Sequence, residues 1–231
     1  ELLLAKLGDR YPCYSEAFYW KAGFVPIPEI MGSVGMKLVT LSKYKIEEAE
    51  RHQLSLIPSD PITQAFNLKR AVLTTQLPTV EGEPWTLMNT HLDAFSQGTD
   101  TMMRQVEEVA AIIEQVDARP WIIAGDYNLL AEGQYEKLTE KHRAYYNPQT
   151  ELAVLHAHYP SIPSLENIQG ERSEDWYTHY PNDPSASGPD RTIDYIFYSP
   201  LLTTEYEKVL QGKALTLSDH LPIIGNFKRA D

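Results

Sequence analysis

The chain has one cysteine, Cys13, in 231 residues. That excludes an internal disulfide and leaves the redox compartment undecided, because many disulfide-free proteins are secreted. Positive charge is in short supply: 20 Lys and Arg face 32 Asp and Glu, for a formal charge of -12. Such a surface repels nucleic acid unless a local basic strip overrides it, and the sequence holds no Lys/Arg cluster of that kind. No stretch approaches the roughly 20 apolar residues that span a bilayer, so no transmembrane segment is expected. Internal repeats and heptads are absent, and biased composition is confined to residues 181–189. Glu1 runs into Leu2-Leu3-Leu4 with no initiator Met and no basic region ahead of an apolar stretch. The expectation is therefore further sequence upstream and a soluble protein, with secretion left open.

What is present is a hydrophobic fraction of 42%, enough for one sizeable core and a single α/β domain over residues 1–231. Residues 1–8 read as the end of a short helix. Residues 11–30, rich in aromatics and prolines, read as an ordered surface segment. Strands are expected over 34–42, 69–77 and 85–90, the last two as an antiparallel pair across the Gly82-Glu83-Pro84 turn. Over 101–116 the period becomes helical, with Met102, Val106, Val109, Ile113 and Val116 on one face and Asp100 placed to cap. Trp121-Ile122-Ile123-Ala124 has the unbroken apolar character of a central strand. Residues 131–190 are irregular, with a short helix near 134–142 and long aromatic-rich loops. Strand alternation returns in 192–199, where Asp194, Ile196 and Tyr198 share one face, and a last strand is expected over 221–227.

Four short blocks carry the chemistry: Asn89-Thr90-His91-Leu92-Asp93, Gly125-Asp126-Tyr127-Asn128, Asp190-Arg191-Thr192-Ile193-Asp194-Tyr195-Ile196 and Ser218-Asp219-His220-Leu221-Pro222. Taken singly, each fits a turn, a cap or a satisfied structural histidine. Together they place polar groups beside apolar β-runs, as a sheet does when it delivers them to one rim. A phosphate ester resists attack because its oxygens are negative and its leaving oxygen must accept charge. A hard cation relieves both, and Asp126, Asn128 and Asp219 are oxygen donors of the type Mg²⁺ prefers. His220 supplies a side chain that titrates near neutrality, with Asp194 as its orienting carboxylate.

These blocks resemble the endonuclease/exonuclease/phosphatase superfamily, the DNase I-like divalent-metal phosphoesterases. His91-Leu92 is similar to the family's Thr-His-Leu block, 125–128 to its Gly-Asp-Phe-Asn block, 190–197 to its Asp-Arg-Ile-Asp-Tyr-Ile-Phe strand and 218–222 to its Ser-Asp-His-x-Pro block. Residues 35–46 resemble its Gly-x-x-x-x-x-Leu-Ser-Arg-x-Pro-Ile segment. The resemblance implies a two-sheet α/β sandwich flanked by helices and a Mg²⁺ cofactor, with Mn²⁺ as the alternative. It implies that Asp219 binds metal and that His220 is catalytic and polarised by Asp194. It further implies that Asp126 orients or deprotonates water, that Asn128 contacts phosphate or metal, and that His91 binds the scissile phosphate. Whether Asp126 or His220 takes the water's proton stays open. The family's early Asn strand and its following Gln-Glu strand, which carries the principal metal carboxylate, are not recognisable. The chain is thus expected to lack those N-terminal strands, with the principal Glu upstream and Glu1 a weaker candidate.

The charge favours a small phosphodiester or a phospholipid headgroup over nucleic acid. Two alternatives remain at this point. One is a DNase-like nuclease, for which Lys69, Arg70, Arg104, Lys137, Lys141, Arg143 and Arg172 would have to converge near the rim. The other is an inactive binding or scaffold domain that keeps the fold. Oligomeric state is not legible.

Overall fold

The computed structural model describes residues 2–25, 28, 31–80, 82–94, 98–181, 183 and 186–230; Glu1 lies outside them. Among the described residues ten strands form, β1 (Cys13–Val25), β2 (Gly32–Ser42), β3 (Glu48–Gln53), β4 (Ala71–Leu77), β5 (Trp85–His91), β6 (Trp121–Asp126), β7 (Ser161–Ile162), β8 (Asp194–Tyr198), β9 (Leu202–Val209) and β10 (Ile223–Arg229). Six of them make a central sheet in the order β3-β4-β5-β6-β8-β7, while β1-β2 and β9-β10 are separate two-stranded pairs. Only β5 and β6 run parallel within the central sheet. Parallel neighbours need a crossover, and the helix Thr101–Glu114 lies in that connection.

Residues directly opposite each other in a ladder point to the same side of the sheet. The row Met88, Ile123 and Phe197 faces the helical side, where Val106, Val109 and Ile113 of the crossover helix are fully buried with Trp121 and Leu155. Burying each such aliphatic side chain stabilises the fold by about 1.5–3 kcal/mol. The row Leu73, Asn89, Ala124 and Ile196 faces the other way, towards the two strand pairs. There β1-β2 covers β4 and β5 through Ala17, Tyr19 and Leu38 packed on Ala71 and Leu73. Two hydrogen bonds tie the layers, Ser15 Oγ to Thr75 Oγ1 at 2.7 Å and Asn89 Nδ2 to Thr40 Oγ1 at 2.7 Å. At the opposite side Tyr198 of β8 meets Phe227 of β10, with ring centroids 5.1 Å apart. The result is a mixed α/β fold whose second layer consists of two separate strand pairs.

Several expectations need correction. Residues 13–25 are a long strand and not a surface segment; positions 26, 27, 29 and 30 of that stretch lie outside the described residues. The inward positions of β1 are Ser15, Ala17 and Tyr19, and Phe18 points out at 41% exposure, so alternation exists without apolar contrast. β3 gives no strand signal because Glu48–Gln53 is polar apart from Ala49, as suits an edge strand that must resist pairing with other chains. β9 also went unread. Asp100 precedes the crossover helix, but its carboxylate makes no capping bond and pairs with Arg104 one turn on. The helix expected near 134–142 is a 3₁₀ turn at Tyr135–Lys137 followed by a short helix at Glu140–Arg143. Among the described residues no helix is long and apolar enough to cross a membrane.

Candidate active site

The sheet register builds the site. His91 ends β5 and pairs with Asp126, which ends β6, and Asp126 pairs with Asp194, which begins β8. The three side chains therefore stand in one row, on the face that carries the two strand pairs. His91 Nε2 is 3.3 Å from Asp126 Oδ2. Gly125 permits this approach, because a Cβ there would overlap the Thr90 carbonyl oxygen. His220 enters from the loop before β10. Its Nδ1 lies 3.0 Å from both Asp194 oxygens, and its Nε2 is 3.8 Å from Asp126 Oδ2.

Asn128 has a positive φ of 54°, a conformation that Asn tolerates better than most residues. Its N–H donates to Asp126 Oδ1 at 2.8 Å and its Nδ2 to the Leu92 carbonyl at 3.1 Å. The turn reading of Gly-Asp-Tyr-Asn and the site reading are thus both correct: the same Asx turn orients the Asp126 carboxylate. Asn128 also lines the cavity between these strands. Asp219 is exposed and pairs with no Lys or Arg among the described residues. Its carboxylate lies within 4.8 Å of ligand atoms on His179 and His220, and a second group of the same compactness joins Asp126, Asp194 and His220.

The pocket, about 340 Å³, is bordered by Arg70, His91, Asp126, Asn128, Tyr146 and His220, among others. A larger open groove of about 770 Å³ between Trp176 and Glu207 contains none of the site residues named from the sequence. Of the seven basic residues whose convergence would mark a nuclease, only Arg70 lines the pocket. Lys141, Arg143 and Arg172 are occupied by Asp183, Glu136 and Asp175, Arg104 by Asp100, and Lys69 and Lys137 by main-chain carbonyls.

Proton affinities diverge across the site. The hydrogen bond to Asp194 lifts His220 to about 9 against its partial burial. Burial, then the neighbouring Asp194 charge, raises Asp126. Burial lowers His91 to about 3, with the Arg70 charge next in importance. Burial also lowers His179 to about 4, followed by the effect of His220, whose ring centroid is 4.7 Å away.

One segment escaped the sequence reading. Thr178 is fully buried, and its Oγ1 accepts from the N–H groups of Ile193 and Asp194, both at 3.1 Å. Its carbonyl accepts from Leu221 N at 2.7 Å, while Tyr180 N donates to the Asp219 carbonyl at 2.7 Å. Residues 178–180 therefore strap the Asp194 block to the Asp219-His220 block. A threonine in an aromatic loop carries no sequence signal for that role.

The fold has counterparts among solved structures. An endonuclease/exonuclease/phosphatase from Beutenbergia cavernae DSM 12333 is 20% identical with a TM-score of 0.66, over 99% of this chain and 56% of that one. The human Nocturnin catalytic domain with bound sulfate is 18% identical with a TM-score of 0.62, over 99% and 75%. D. rerio TDP2 complexed with single-strand DNA product is 17% identical with a TM-score of 0.59, over 98% and 82%. The chain thus spans little more than half of the first of these and three quarters or more of the other two. No curated protein matches the sequence. Identities this low establish the fold only, but the match of residues 1–220 to the Endonuclease/Exonuclease/phosphatase family takes in the first three blocks and Ser218-Asp219-His220 of the fourth, and the chain belongs to that family.

Proposed function

We propose that this protein, acting as one domain over residues 1–231, hydrolyses a phosphoester with the help of a divalent cation. Its preferred substrate is a small phosphodiester or a phospholipid headgroup. The observation that carries the reading is the row His91–Asp126–Asp194 on three adjacent strands, closed by His220 at 3.0 Å from Asp194. The donor set suits a hard cation: Asp219 is exposed and pairs with no Lys or Arg among the described residues, Asp126 belongs to a second compact group that shares His220 with it, and Asn128 lines the pocket. When bound, Mg²⁺ or Mn²⁺ supplies positive charge to the phosphoryl and leaving oxygens.

The protein's own groups then divide the proton work. His220, protonated through the neutral range because Asp194 holds its Nδ1–H, directs a second N–H at Nε2 toward the pocket and can protonate the leaving oxygen. Asp126 is shifted upward by burial and by Asp194, so its proton affinity suits taking a proton from attacking water. Asn128 N–H fixes its Oδ1, while Oδ2 faces the Nε2 atoms of His91 at 3.3 Å and His220 at 3.8 Å.

The nuclease alternative draws on the DNA-bound neighbour, TDP2. It is weakened by the dispersal of basic residues into local pairs. The test is a panel of DNA, a phosphocholine diester, a phosphorylated inositol and an aryl phosphodiester, assayed with Mg²⁺ and with EDTA. Metal-dependent turnover of a small diester is expected, with Mg²⁺ activation weakened by Asp219→Ala. Turnover indifferent to EDTA would refute the metal mechanism, preference for DNA would overturn the substrate class, and no turnover at all would favour a scaffold.

A further inference from the structure

Arg70 immediately precedes β4 and is 4% exposed. Its carbonyl accepts from Leu54 N at 3.0 Å and from Gln53 Nε2 at 2.9 Å, so its backbone is fixed. Its guanidinium lies 5.4 Å from the centroid of the Tyr19 ring and donates through Nε to Asp93 Oδ1 at 2.9 Å. A buried Arg–carboxylate pair ordinarily closes as a two-pronged fork. Here the second Asp93 oxygen is occupied by Gln105 Nε2 at 2.7 Å, and Gln105 Oε1 accepts from Asp93 N at 2.9 Å. Gln105 is itself wholly buried on the crossover helix and also donates to the Ser55 carbonyl at 2.7 Å. Asp93 is therefore turned so that it holds the guanidinium by one corner.

The consequence is an unpaired donor. Arg70 Nη1 is buried and has no hydrogen-bond partner among the described residues, although the same side chain lines the pocket beside His91, Asp126 and Asn128. An unpaired donor on a buried cation is costly, and a network that spends three side chains on creating one is poor economy for packing alone. Arg70 supplies a permanent positive charge to this wall of the pocket.

Building on the phosphoesterase reading, we infer that Arg70 is a phosphate-binding residue, whose unpartnered guanidinium edge receives an anionic non-bridging oxygen of the substrate. The planar, permanently charged fork matches a phosphate oxygen better than an ammonium would. The site thereby selects esters whose phosphorus retains an anionic oxygen over neutral esters of the same shape.

Removing Arg70 alone would strand the buried Asp93 carboxylate and could unfold the protein. The informative variant is therefore Arg70→Met with Asp93→Leu, since replacing both members of a buried pair by apolar groups is often neutral for stability. Inorganic phosphate is titrated by calorimetry, and an aryl phosphodiester is assayed with Mg²⁺. The double variant, with an unchanged circular dichroism spectrum, is expected to bind phosphate and the diester roughly 10- to 100-fold more weakly, the range for a hydrogen bond to a charged group. Arg70→Lys should restore only part of that loss. A folded double variant with wild-type phosphate affinity and KM overturns the inference. Should the double variant not fold, ¹⁵N-labelled wild-type protein decides: the Arg70 Nε–H resonance should move on phosphate addition, and a static resonance at saturating phosphate overturns the proposal. Arg70-dependent phosphate binding without turnover of any ester would sustain this inference while sinking the phosphoesterase reading.

Discussion

Two histidines face the same half-buried carboxylate, that of Asp126. His91, at the end of β5, lies 3.3 Å from Asp126. It is flanked by the Arg70 charge and held neutral, with its proton affinity driven down to about 3. His220, from the loop before β10, lies 3.8 Å from Asp126 and is pushed up to about 9 by the Asp194 carboxylate on its far nitrogen. The ring type is the same, so the difference comes from the neighbours. A carboxylate at 3.0 Å outweighs desolvation on one wall, while desolvation and a nearby cation act together on the other. One imidazole is thus a proton donor at neutral pH and the other a neutral hydrogen-bonding group.

Removing the protonated ring should test that contrast most severely. His220→Ala is expected to lower kcat by about 10²–10⁴-fold, the usual contribution of a positioned acid or base, with a much smaller change in KM; steady-state kinetics on a small diester would show it. Next in size is Asp194→Asn, which removes what raises His220. Activity that needs protonated His220 should persist towards pH 9 in the wild type and fail near the ordinary histidine value of about 6.5 in the variant. The linkage has the same sign. Because folding raises this pKa, the stability it contributes is complete below about pH 6.5 and is lost as pH rises through about 9. The gap in Tm between wild type and Asp194→Asn should narrow over that window; a constant gap would contradict the pairing.

Thr178→Val sharpens the comparison from a distance. It strands the N–H groups of Ile193 and Asp194, which should cost about 1–3 kcal/mol in urea unfolding and loosen the Asp194–His220 wall while leaving His91 untouched. The smallest effect is expected at His91→Gln. A neutral donor replaces a neutral donor, so kcat/KM should fall by no more than about 10-fold, and the pH profile between 5 and 9 should keep its shape. A limb that disappears from that profile would show His91 to be titrating after all.

Much of this geometry was readable beforehand. The apolar runs of β5, β6 and β8 stand out because both of their faces are covered, and each ends in a polar residue that nothing else in the run explains. β1 and β3 were hidden for the opposite reason: their inward or edge positions are small or charged, so periodicity carries no hydrophobic contrast. Thr178 is invisible as a site residue and Arg70 stands out only as one of seven scattered basic residues, because their roles depend on contacts with residues 193–194 and 93, which no local pattern encodes. Asp100 shows the converse error, a well-placed cap residue whose carboxylate prefers Arg104.

The row His91–Asp126–Asp194 carries a consequence about chain length. Successive strand residues alternate faces, so inserting or deleting a single residue within β5, β6 or β8 would turn that strand's polar group toward the helical core and leave its partners behind. Apart from β7, the loops and short helices between β6 and β8 have no such parity to keep, and they contribute Tyr145, Tyr146 and His179 to the pocket wall. Gain and loss of residues can therefore reshape what the cavity admits, whereas the His91–Asp126–Asp194 row holds together only while the residue count of its strands is unchanged.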